Sequence, residues 1–157
     1  MSLPYANLAR SLLGRADLTG ADLEGADLAG AQLAGAVLIE ARLMGANLAM
    51  AHLEEADLTR ADLSAANLRG ANLTEAILEA ADLSTTDLVC ASLIGTRLVS
   101  ANLSGADMLG ANLQEADLEG ANLKGANLEE VNLEGANLRG AAMPDGFELL
   151  DRGKQGG

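Results

Sequence analysis

The chain has 157 residues, a net charge of −13, 49% apolar residues and only 1% aromatic ones. The charge excludes a basic surface for nucleic acid or anionic membrane, and the single Cys90 excludes an intrachain disulfide framework. No run of 18 apolar residues exists to form a membrane-spanning helix. With Tyr5 and Phe147 as its only aromatics, the core must be regular enough for Leu and Ala to fill it.

In chain order, Met1-Ser2-Leu3-Pro4-Tyr5 shows no basic segment followed by an apolar stretch. It therefore reads as no secretory signal, and the default compartment is the cytoplasm. Residues 1–5 are predicted to form a partial cap, with Leu3 in register with the leucines from Leu8 onward. From Ala6 to Gly140 the chain repeats every five residues as Ala-Asp/Asn-Leu-x-x, in 27 consecutive blocks. Leu fills the third position of 26 of them, and Met108 is the exception. The pattern then fades through Ala141-Ala142-Met143 to Pro144-Asp145-Gly146, where Pro144 removes a ladder donor. Residues 141–150 are predicted as a C-terminal cap, with Phe147, Leu149 and Leu150 folded over the last turn of the repeat. Residues 151–157 are predicted as a flexible tail.

A period of five fits neither regular element. Five residues advance an α-helix by roughly 500°, which scatters the leucines around it, and a flat strand flips them from side to side. A stacked solenoid keeps them together, because each block supplies a short extended piece and then a corner. Let Leu be position i. The residue two before it lies on the same side, and that residue is Ala in 23 of 27 blocks, the others being Ser11, Thr86, Thr96 and Val131. Position i−1 points outward and is Asp or Asn in 19 blocks. The corner falls on i+1 and i+2, and i+2 is Gly in 13 blocks, which suits a turn of positive φ.

These blocks resemble the pentapeptide-repeat family, whose motif is written A(D/N)LXX, over about 135 of the 157 residues. The Met-Pro-Asp-Gly run after the repeat is similar to that of cyanobacterial members. The resemblance implies an all-β fold, a right-handed quadrilateral parallel β-helix with four blocks per coil. The repeat would then make about seven coils, a rod roughly 32 Å long. Coil stacks leave open strand edges, and a homodimer through the N-terminal coil edge is one way to cover that end.

Candidate chemistry is sparse. Outward Asp and Asn read as a solvated wall, with Asn relieving repulsion between like charges, and a packed rod leaves no concave pocket for catalysis. His52 is the only histidine and falls at an outward i−1 position. Cys90 sits at a corner with no base assigned beside it. No phosphate-loop motif occurs. No catalytic residue, metal ligand or cofactor is therefore expected. The informative exceptions are apolar residues at outward positions: Val37, Ile39, Met44, Met50, Ile77, Val89, Ile94, Val99 and Leu109. Val89 lies beneath Leu109 with Cys90 at the edge, and Val37 and Ile39 share another face. These five form the candidate patch for a protein partner.

Some acidic members of the family imitate duplex DNA and bind DNA gyrase. Residues 6–140 hold 20 acids and 8 bases. Summed by block in the four-sided scheme, that charge is spread around the rod. Its density is roughly one charge per 2.7 Å against about 1.7 Å in DNA. Gyrase-binding members also favour Phe at position i and dimerise through a C-terminal helical module, whereas this chain has Leu and a short tail. The sequence thus reads as a non-enzymatic, rigid interaction or scaffold module for an unidentified protein, with no direct contact to nucleic acid or membrane. Gyrase mimicry is the alternative.

Overall fold

A computed structural model of the chain describes residues 1–148. Leu149, Leu150 and the tail 151–157 lie outside the described residues.

Every block has the same local structure. One residue, at i−1, makes a β-bridge, and a turn occupies i+1 and i+2. The turn closes by a hydrogen bond from the next block's first N–H to the Leu carbonyl, as from Ala26 to Leu23 at 3.0 Å. Its third residue takes positive φ throughout, from +53° at Ala80 to +71° at Gly135, the conformation a type II turn demands there. The Asp or Asn preference has a cause beyond solvation. The side-chain Oδ1 accepts the N–H two residues on, for example from Thr59 to Asp57 at 3.0 Å and from Arg69 to Asn67 at 3.1 Å. This Asx turn holds the chain at the corner, and only a short polar side chain can form it. Hydroxyls at i+1 add a second bond, Ser64 Oγ to Asp62 Oδ1 at 2.6 Å.

Coils then stack in parallel, each residue bridging the one 20 further on. Five-residue blocks in a 20-residue register make four faces. The first carries Ser2, Asp22, Arg42 and onward to Ala142. The second runs from Asn7 to Asn127, the third from Leu12 to Asn132, and the fourth from Asp17 to Asn137. Between coils, Leu23 N–H donates to the Arg42 carbonyl at 2.8 Å, and Arg42 N–H returns to the Ala21 carbonyl at 2.9 Å. Side-chain ladders run beside this framework. Asn47 donates to Asp27 at 3.0 Å and Asn67 donates to Asn47 at 3.2 Å.

The interior is a continuous column of Leu and Ala, fully buried from Leu23 to Leu118. Each such Leu contributes about 1.5–3 kcal/mol before chain entropy is set against it. Two threonines enter this core, and both are satisfied. Thr86 Oγ1 donates to the Leu83 carbonyl at 2.5 Å, and Thr96 Oγ1 donates to the Leu73 carbonyl on the preceding coil at 2.9 Å. Ser11, at the same position in the first coil, is a buried hydroxyl without a partner among the described residues.

Residues 1–5 continue the register at the N-terminal end, with Leu3 in line with the inward leucines. They run as a complete block, with Ser2 bridged to Asp22 and Tyr5 N–H bonded to the Glu24 carbonyl at 2.8 Å. Pro4 and Tyr5 occupy the two corner positions, for which proline's fixed φ is suited. At the other end Ala142 still bridges Asn122, Met143 packs on the core, and Phe147 N–H closes a turn on the Pro144 carbonyl at 3.1 Å. Phe147 is half-buried.

Candidate interaction surface

The five patch residues lie in two groups, as their register predicts, and differ in exposure. Val89 is only 5% exposed and offers no surface to a partner. Its corner position puts it in one column between Arg69 and Leu109, in the register 20 residues apart, so its neighbours above and below cover it. Leu109 is half-buried and Cys90 is exposed. Val37 and Ile39 are half-buried and lie on the fourth face and the corner after it, away from the other three.

The large apolar residues that are exposed lie elsewhere. Met50 is 65% exposed, Met44 40% and Leu12 86%. Met50 shares the Cys90 corner column, and its Sδ lies where a Cβ on Gly70 would stand, 2.6 Å away. Leu12 escapes a sequence reading centred on Leu at i, since Ser11-Leu12-Leu13 presents two leucines side by side. Its i−1 register was the signal that identifies it as outward.

Charge is also less even than block sums suggest, because a block joins one face to the corner after it. Take the four coils spanning residues 41–120. The second face and its two flanking corners carry three charged residues, Arg69, Asp87 and Asp107. Arg69 and Asp87 are paired at 3.3 Å. The opposite side, the fourth face with its two corners, carries ten: Glu54, Glu55, Asp57, Arg60, Glu75, Glu79, Arg97, Glu115, Asp117 and Glu119. There Arg60 pairs with Glu40 at 2.5 Å, and Arg97 with Glu79. These pairs are exposed and contribute little to stability. The rod thus has a neutral side, lined by Asn47, Asn67, Met44, Met50, Ser64 and Ser84, and an acidic side.

His52 lies on the third face. Its Nδ1 stands 3.4 Å from Glu54 Oε1, which also accepts from Asn72 Nδ2 at 2.6 Å. Cys90 has no His or carboxylate hydrogen-bonded to it among the described residues. Nor does any group of three or more His, Cys, Asp and Glu stand placed to hold a metal ion among them. No helix among them is long and apolar enough to cross a membrane.

The five-residue unit, its filled interior and its Asx-capped corners coincide with a known repeat. The model of pentapeptide repeats matches in eight copies over residues 3–38, 41–79, 76–111 and 106–143. The chain belongs to the pentapeptide-repeat family. Among solved pentapeptide-repeat structures it is similar to HetL, a protein involved in heterocyst differentiation regulation in the cyanobacterium Nostoc sp. strain PCC 7120. Identity is 37% over 94% of this chain and 81% of that one, with a TM-score of 0.48. It is also similar to Rfr23 of the cyanobacterium Cyanothece 51142, at 44% identity over 55% of this chain and 63% of that one, TM-score 0.32. A third likeness is to QnrB1, a plasmid-mediated fluoroquinolone resistance protein, at 18% identity over 92% of this chain and 90% of that one, TM-score 0.46. A comparison with curated protein sequences gives no match.

Proposed function

We propose that this pentapeptide-repeat protein is a rigid, non-enzymatic interaction or scaffold module. In this reading it is a right-handed rod of about seven coils, cytoplasmic, without a cofactor, and its partner is a protein rather than nucleic acid or membrane. The neutral side carries the reading. On a chain of net charge −13, one flat side has three charged residues over four coils and an exposed Met50, in the same corner column as Cys90 two coils further on. Uncharged, flat surfaces with an exposed methionine suit protein contacts, since methionine adapts to its partner's shape and costs little to desolvate. Val37 and Ile39 play no part in that contact. Pairing with a second copy through the N-terminal coil edge belongs to the same reading.

Affinity capture from the source cells with two single variants tests this. Met50→Glu on the neutral side should lose the partner that the parent chain captures, while Glu75→Gln on the acidic side should keep it. The reverse outcome would favour the second reading, an acidic mimic of DNA acting on DNA gyrase. That reading draws on the column Glu55, Glu75 and Glu115 at one corner. A supercoiling assay addresses it directly, and no inhibition at micromolar protein removes it.

A further inference from the structure

The first coil, residues 1–20, differs from all those after it in four ways. Its outward edge is unpaired among the described residues: there the N–H and C=O of Ser2, Asn7, Leu12 and Asp17 make no backbone hydrogen bond, whereas the matching groups of Asp22 bond Met1 and Leu3. Leu12 stands 86% exposed in a column that continues with Gln32, His52 and Asn72. The Ser11 hydroxyl is buried without a partner among the described residues, while Thr86 and Thr96 reach carbonyls on the coil before them. Finally, Arg10 and Arg15 outnumber Asp17, so this coil alone is net positive. The next, with Asp22, Glu24, Asp27 and Glu40, is strongly negative. Two acidic rods therefore meet least repulsion at this end, where the positive coil of each comes close to the acidic second coil of the other.

We propose that two copies of the chain join head to head through their first coils, in a register that the helix itself dictates. The idea rests on the reading of the rod as an interaction module and specifies its self-contact. Each coil climbs one quarter of its rise per face, so the edge is a ramp with a step between the faces of Asp17 and Ser2. Two ramps close without a gap only if their steps coincide. A two-fold axis perpendicular to the rod must then pass through that step and through the opposite corner, Ala9-Arg10. This axis brings Asn7 opposite Leu12 of the second copy, and Ser2 opposite Asp17 of the second copy. The strands run antiparallel across the junction. Each of these residues has both its N–H and its C=O aimed at the edge, which is the requirement for a hydrogen-bonded antiparallel pair. Tyr5 does not obstruct, because its ring lies over Gly25 on the second coil. The leucine column continues across the junction through Leu3, Leu8 and Leu13, which are only half-buried in the single chain. The two-fold arrangement is closed, so it stops at two copies.

Sedimentation of the 157-residue chain over a concentration series tests the association, and cross-linking tests the register. The parent chain should shift from monomer to dimer and no further. Leu12→Pro removes one edge N–H that bonds nothing among the described residues. It should leave the monomer, with unchanged circular dichroism. Leu12→Lys, which leaves the backbone intact, should weaken the dimer as well. In a Cys90→Ser background, chains carrying Asn7→Cys mixed with chains carrying Leu12→Cys should form a disulfide across the junction, and neither alone should. A monomer at every concentration, growth beyond two copies, a dimer indifferent to both Leu12 variants, or cross-linking of either cysteine variant with itself would overturn the proposal. None of these outcomes depends on capture of another protein, so the two readings fail separately.

Discussion

Asn102 donates through Nδ2 to Asp82 Oδ1 one coil back, at 3.1 Å, while Asp82 itself bridges Asp62 with a carboxylate facing a carboxylate. The ladder thus works where Asn follows Asp and is missing where Asp follows Asp. Asp82→Asn should supply the donor while keeping the oxygen that accepts from Ser84 and Asn102. It should raise stability by about 0.5–1 kcal/mol, and Asn102→Asp should lower it by about the same. Urea denaturation of both variants checks the pair; equal signs would refute the ladder.

The corners give a second test. Ala65 and Ala80 sit at φ +54° and +53°, a conformation that costs any residue with a Cβ. Ala65→Gly should therefore stabilise by about 0.5–1 kcal/mol, contrary to the usual cost of a new glycine. At Gly45, where a Cβ would meet nothing within 4 Å, Ala should cost about 1 kcal/mol from φ alone. Gly70→Ala should cost more, since its Cβ must also displace Met50. Thermal melting of the three variants checks the order.

Inside the rod, Leu68 is fully buried, and Leu68→Ala should cost about 3 kcal/mol. Asp62→Ser on the wall is not neutral, as a solvated-wall reading would have it. Asp62 Oδ1 holds both Ser64 N–H and Ser64 Oγ, and loss of this turn should cost about 0.5–1 kcal/mol. Chemical denaturation should rank the two, with Leu68→Ala far below Asp62→Ser.

Asp17 predicts a pH effect. The Thr19 hydroxyl, at 2.6 Å, and then the Thr19 N–H hold its carboxyl below the ordinary carboxylate range. A depressed folded-state value means the carboxylate's contribution is present above the unfolded value and is lost as pH falls through the folded one. In an NMR titration the Asp17 midpoint should rise in Thr19→Val; an unchanged midpoint would remove the hydroxyl as its cause.

The inside and outside of this protein were legible in the sequence, because both are local. Leu and Ala two residues apart must face one way, Asp or Asn must cap the corner, and Gly accepts positive φ. The four-sided closure came from resemblance, since nothing in a period of five counts the sides; the hydrogen bonds from each coil to the next decide it. Those same bonds set which side chains stand one above another. They bury Val89 between Arg69 and Leu109, gather Glu55, Glu75 and Glu115 on one corner, and leave Met50 and Leu12 in the open. A repeat encodes its own block through neighbours along the chain. Its surface is composed of residues 20 apart, whose meeting depends on the stacking of whole coils.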